Sequence, residues 1–175
     1  VDAKADGRIV VGAFCVFVPE ELVLAVDGIC VGLCAGADFA TDMVEKLIPR
    51  NTCSLIKSAF GFAMARVCPY LAASNLVVGE NTCDGKKKSY EIFKDLDLVH
   101  DFHVMDLPQM KSDGDRAFLK SEYLRFMKKL EALSGISITP ERARKVAFSD
   151  IYYSIPDAVV TRKQDSSEKS ETQTS

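Results

Sequence analysis

Strand-like and helix-like patterns alternate along most of this chain, and several apolar runs end on glycine or cysteine just before a helix-start signal. Together these predict an α/β fold, with a mainly parallel sheet flanked by helices. At 175 residues, 47% of them hydrophobic, the chain has enough apolar material for one ordinary core.

The elements follow in order. RIVVGAF, residues 8 to 14, reads as a buried strand. VPEELVLAVDG carries a helix start, with Pro19 at the first helical position and Glu20 and Glu21 in the first turn. ICVGLCAG, 29 to 36, is a second apolar run ending on small residues, and DFATDMVEKLI after it reads as helical. In NTCSLIKSAFGFAMARVCPYL the apolar residues recur at helical spacing, so a helix is expected there that ends before Pro69. NLVVGENTC is a strand, KKKSYEIFKDL after Asp84 and Gly85 a helix, and HVMDLP a further short strand. Residues 115 to 133 form the clearest helix, with Leu119, Tyr123, Phe126, Met127, Leu130 and Leu133 on one face and its lysines and acids on a solvated one. Thr139-Pro140-Glu141 opens a last short helix. The domain is expected to occupy residues 1–150. Residues 151–175 read as a divergent tail, of which Arg162 to Ser175 has no apolar face to bury and is expected to be disordered.

A net charge of −3, with no arginine-rich or aromatic-interleaved stripe, argues against nucleic acid. The apolar runs break before the ~18 residues of a membrane span, and no basic flank with an apolar leader opens the chain, so a cytoplasmic location is expected. The first residue is Val1, which reads as a mature form or a fragment.

The cysteines carry most of the functional signal. Cys15, Cys30, Cys34, Cys53, Cys68 and Cys83 all fall in the first 83 residues. Buried thiols are the plain reading, disulfides suit this chain poorly, and zinc knuckles need a second close pair to face Cys30 and Cys34. In parallel sheets ligands gather at the carboxyl ends of strands. Cys15 and Cys83 follow strand patterns, Cys34 closes another and Cys53 precedes a helix, so four thiols are expected at one sheet edge. Cys30, inside its strand, and Cys68, near a helix end, are less clearly placed. Thiolates bind iron–sulfur clusters without fixed spacing. A cubane held by three cysteines keeps one iron open to an outside ligand, and six cysteines suffice for two such sites.

GENTCDGKKKSYE, residues 79 to 91, adds charge to this. Lys86, Lys87 and Lys88 sit where a helix N-terminus is already positive, which is unfavourable by roughly 0.3–1 kcal/mol each unless an anion is near. A cluster at Cys83, or the phosphates of a coenzyme, would reverse that sign; the plain alternative is three solvated lysines pointing into water. Asp84, Glu80 and Asp38 are candidates for proton relay, and Asp84 equally for capping the helix. His100 and His103 are too few for a metal site.

FCVFVPEELVLA (14 to 25), IPRNTCSLIKSAFGF (48 to 62), CPY (68 to 70), VVGENTCDGKKKSYE (77 to 91) and HVMDLPQMKS (103 to 112) together resemble the 2-hydroxyacyl-CoA dehydratase and benzoyl-CoA reductase superfamily, and most of all its double-cubane cluster branch. The resemblance runs from about residue 8 to about 145. It implies one flavodoxin/Rossmann-like half of a two-domain, oxygen-sensitive iron–sulfur enzyme, with the cluster between the halves. It also implies a separate ATP-hydrolysing iron–sulfur activator as partner, in keeping with the absence of a G-x-x-x-x-G-K-[ST] stretch here, and a homo- or heterodimer.

Carried over by residue, Cys15, Cys53 and Cys83 match the three shared ligands of a [4Fe-4S] cluster. Cys30, Cys34 and Cys68 would complete a double-cubane [8Fe-9S] set. The main expectation is therefore ATP-driven, low-potential reduction of small molecules. One alternative is a one-cubane subunit of a dehydratase acting on a 2-hydroxyacyl-CoA through a ketyl radical, or of a benzoyl-CoA reductase. Another is a non-catalytic fragment, because superfamily members are about twice this length and the match fades after Lys145.

Overall fold

The computed structural model describes residues 2–15, 17–33, 36–37 and 41–146. Four strands, β1 (Val10–Ala13), β2 (Ile29–Gly32), β3 (Leu76–Glu80) and β4 (Phe102–Met105), form one parallel sheet in the order β2-β1-β3-β4. Val11 lies opposite Cys30 on one side and Leu76 on the other, and Val78 opposite His103. Helices α1 (Asp2–Ala5), α2 (Glu20–Ala25), α3 (Thr41–Val44), α4 (Ser54–Met64), α5 (Pro69–Ala73), α6 (Asp84–Asp95), α7 (Asp113–Ser134) and α8 (Pro140–Lys145) complete the α/β fold.

The core divides as the two-residue period of a strand requires. Val11, Ala13, Leu76 and Val78 face a cluster with Leu22 and Val23 of α2 and Tyr123, Phe126 and Leu130 of α7. Val77 and Phe14 face the other way, onto Phe60 of α4 and Tyr90 and Phe93 of α6. Strands covered on both faces read as unbroken apolar runs, which is why VVGA and LVVG carry so little alternation. The face expected of the long helix is the one it buries, with Leu119, Met127 and Leu133 packed at its margin.

The first crossover, through α2, covers one face, whereas α4 and α6 lie on the other. The winding therefore reverses between the neighbouring strands β1 and β3, and the crevice outside the carboxyl ends at such a reversal is where ligands bind in open parallel sheets. Packing at that place is close. A Cβ on Gly79 would lie 2.3 Å from Cζ of Tyr90, so only glycine lets α6 settle on β3.

Several local expectations need correction. Pro19 occupies the cap before α2, one position earlier than expected. The helix over 54–64 does end before Pro69, as expected, but Pro69 also begins another: α4 stops at Met64, Arg66 turns at φ +53°, and α5 starts on Pro69 with the Cys68 sulfur accepting from the Leu71 N–H at 3.4 Å. Of DFATDMVEKLI, residues 38–40 lie outside the described residues, and the part from Thr41 on forms the single turn α3. The cap of α6 is Cys83 and not Asp84, which is the first helical residue.

The acids of α7 are not all solvated. Glu122 is buried, accepts from the Asp106 N–H at 2.9 Å and pairs with Arg125, which donates to the Val104 carbonyl. Val104 and Asp106 belong to the segment at the sheet edge, whose free backbone groups this ion pair satisfies. The boundary expected at 150 and the tail 151–175 lie outside the described residues. Among the described residues no helix is long and apolar enough to cross a membrane.

Candidate functional site

At the carboxyl edge of β1, the Phe14 N–H extends the ladder to the Val78 carbonyl at 2.9 Å, and the next residue, Cys15, turns at φ +74°. A non-glycine residue there is uncommon and strained, and such backbone clusters at functional positions. The turn brings the Cys15 sulfur into hydrogen-bond contact with the ammonium of Lys86, 71 positions on in the chain.

Lys86 is the third residue of α6, and its reach back over the sheet is fixed by Glu80. Glu80 ends β3 with its side chain 0% exposed. One carboxylate oxygen accepts from the Thr82 N–H at 2.7 Å and the other from Lys86 Nζ at 2.6 Å. Burial opposes its charge, but hydrogen bonds from Lys86 and Thr82 hold its carboxyl below the usual range. Burial likewise opposes the charge of Lys86, yet hydrogen bonds to Cys15 and Glu80 and the attraction of Glu80 hold the ammonium above its ordinary value. The pair is thus charged, and Glu80 is a fixed anchor more than a group free to pass protons.

Cys53 and Cys83 occupy equivalent places, at the N-caps of α4 and α6, and neither sulfur caps its own helix. Both are accessible, Cys53 more so. The two helix starts adjoin: the point where a Cβ on Gly85 would lie is 3.1 Å from Ile56 Cδ1, 3.7 Å from Thr52 Cγ2 and 3.9 Å from the Cys83 sulfur. Cys15, Cys53 and Cys83 therefore rim the crevice at the β1/β3 reversal, where two helix N-termini favour an anion.

The other residues singled out from the sequence are dispersed. Lys87 pairs with Asp84 at 3.2 Å and Lys88 with Glu91, so the lysines that lacked an anion in sequence each have one in space. The Asp84 side chain is 98% exposed. Cys30 sits within β2 against the core, where burial, then Glu20 and Glu21, push its thiol up to about 11. Cys68 follows α4, and an eleven-residue helix advances roughly 16 Å, so it lies at the opposite, amino-terminal edge. There it lines a cavity of about 220 Å³ with Arg66, Asp97 and His100. Cys34 and Asp38 lie outside the described residues.

All five described cysteines are free. Among the described residues no three His, Cys, Asp or Glu side chains gather around a single ion position. A cubane takes its thiolates on different irons, so its donors stand farther apart than those of one ion. The donor set, one exposed and two half-buried thiols with the Lys86 ammonium against Cys15, has the chemistry of that group. His103 is buried on β4, 5.3 Å from the Phe126 ring, and its Nε2 has no hydrogen-bond partner. Burial, then Arg125, lower its pKa to about 4.

Sequence reasoning missed the Glu80–Lys86 pair. Its signal was a lone acid closing the apolar run VVGE, since a charge at a buried strand end needs a counterion nearby.

Residues 15–148 match the family described as 2-hydroxyglutaryl-CoA dehydratase, D-component. The putative dehydratase subunit YjiM of Escherichia coli (strain K12) is 43% identical over 145 residues, covering 82% of this chain and 37% of the relative. The (R)-phenyllactyl-CoA dehydratase beta subunit of Clostridium sporogenes is 29% identical over 143 residues, covering 81% of this chain and 37% of the relative. The aligned part of this chain thus spans little more than a third of either relative.

Proposed function

This chain belongs to the 2-hydroxyglutaryl-CoA dehydratase D-component family, and from that premise we propose that residues 1–150 are the cluster-binding module of a dehydratase-type enzyme. Cys15, Cys53 and Cys83 hold one [4Fe-4S] cluster in this reading. When bound, such a group supplies one-electron chemistry and an iron open to an outside ligand. The chain's own residues bind it and present two helix N-termini to its negative charge, brought close together at Gly85, where a Cβ would lie 3.1 Å from Ile56.

The observation that carries the proposal is the arrangement of these three thiols at the crevice between β1 and β3, with Lys86 reaching from the cap helix of Cys83 to the Cys15 sulfur. The double-cubane reductase is the weaker reading, because Cys30 packs into the core and Cys68 sits at the far edge.

The substrate class that accords with the relatives' names is a 2-hydroxyacyl-CoA thioester. Those names also speak of subunits and components, which supports a companion subunit, and an ATP-hydrolysing iron–sulfur activator would deliver the electron. A cytoplasmic, oxygen-poor setting belongs to the same proposal.

Iron and sulfide counting after anaerobic reconstitution tests it. About four irons per chain support one cubane, about eight the double cubane, and none removes both.

A further inference from the structure

Of the three lysines in the first turns of α6, Lys86 is the one whose ammonium meets a candidate ligand sulfur. Lys87 and Lys88 have side chains 49% and 67% exposed and pair with surface acids. Lys86 is 17% exposed and bridges a fully buried carboxylate and the Cys15 sulfur. An ammonium has three donors and no acceptor, so it serves both groups at once. Glu80 is held at both oxygens, which restrains Lys86, and Cys15 adopts a left-handed backbone at the meeting point.

Hydrogen bonds to ligand sulfurs and local charge are among the protein's levers on a cluster's reduction potential, and groups behind the ligands orient them. Resting on the cubane reading above, we propose that Lys86, anchored by Glu80, is a positioning residue for the Cys15 ligand. Its N–H···S bond and positive charge favour the reduced state of a cluster held there. Lys87 and Lys88 take no part in this.

The test is an anaerobic redox titration of the reconstituted chain, followed optically and by electron paramagnetic resonance, beside its iron content. K86M is expected to weaken the preference for the reduced state at least tenfold, a fall of about 59 mV for one electron. K86R should stay near the unchanged chain. E80Q should raise the potential, because Lys86 keeps its charge and loses the competing anion. K86M leaves a buried carboxylate without its cation, so E80Q/K86M, which removes the pair together, is measured as well and should also fall.

Opposite shifts for K86M and E80Q support the proposal, since general loosening of the site would move both the same way. Equal iron content with no shift, or shifts of one sign, overturns it while leaving the cubane reading intact. An unchanged chain that takes up no iron overturns the reading on which it rests.

Discussion

Gly79→Ala is the most demanding probe of how β3 and α6 hold the crevice together. The added Cβ would lie 2.3 Å from Cζ and 2.7 Å from Cε2 and the hydroxyl oxygen of Tyr90. Carbon atoms rest near 3.5–4.0 Å apart, so the ring must retreat by more than ~1 Å. Retreat is obstructed, because Tyr90 lies 4.8 Å from the Phe102 ring and 6.0 Å from that of Phe14, and its hydroxyl donates to the Glu80 carbonyl at 3.3 Å. Overpacking of this kind costs about 1–3 kcal/mol. For a chain of this size that lowers Tm by roughly 2–12 °C, read by circular dichroism.

The cause is checked by a double-mutant cycle with Tyr90→Leu. Removing the ring should relieve the clash, so that the double variant is at least ~1 kcal/mol more stable than the two single losses predict. A neutral Gly79→Ala, or strict additivity with Tyr90→Leu, would refute the packing argument.

Two other outcomes follow. Cys30→Ala and Cys68→Ala should leave the iron content of the reconstituted chain unchanged, one thiol being in the core and the other at the far edge; a loss of about half would restore the double cubane. His103 is neutral in the fold and titrates at about 4, against 6.5 for an ordinary histidine. The unfolded chain therefore binds the extra proton first as pH falls, and stability drops between pH 6.5 and about 4 by on the order of 2–3 kcal/mol. His103→Leu should flatten that limb in urea titrations at pH 7 and pH 5; an unaltered slope would place the acid sensitivity elsewhere.

Much of the fold could be read from residues alone, for physical reasons that vary by element. β1 and β3 were visible because strands buried on both faces must be apolar throughout. α7 was visible in its stripe from Leu119 to Leu133, while its ends, the box of Ser112 and Asp115 and Gly135 at φ +71°, came only with the structure. The short α5 was not, and α3 only as part of a longer helical stretch, since tertiary contacts decide segments too short to carry a period.

The site was half legible. Strand ends drew attention to Cys15 and Cys83, and a helix start to Cys53. That Cys68 lies at the other edge also follows from sequence, once α4 is seen to run away from Cys53, but spacing in the chain obscures it. The Glu80–Lys86–Cys15 contact spans two crossovers, and only the fold brings it together. The lysine excess that pointed to an external anion has internal partners, with Lys86 alone turned towards the thiols.

Thiol protection, mapped by mass spectrometry after alkylation under anaerobic conditions, distinguishes the ligands one by one. In the iron-loaded chain Cys15, Cys53 and Cys83 should be shielded, and become reactive when iron is removed, while Cys30 and Cys68 react at the same rates in both states. Protection of Cys30 or Cys68 by iron, or free alkylation of any of the three crevice thiols in the loaded chain, would contradict the single-cubane assignment.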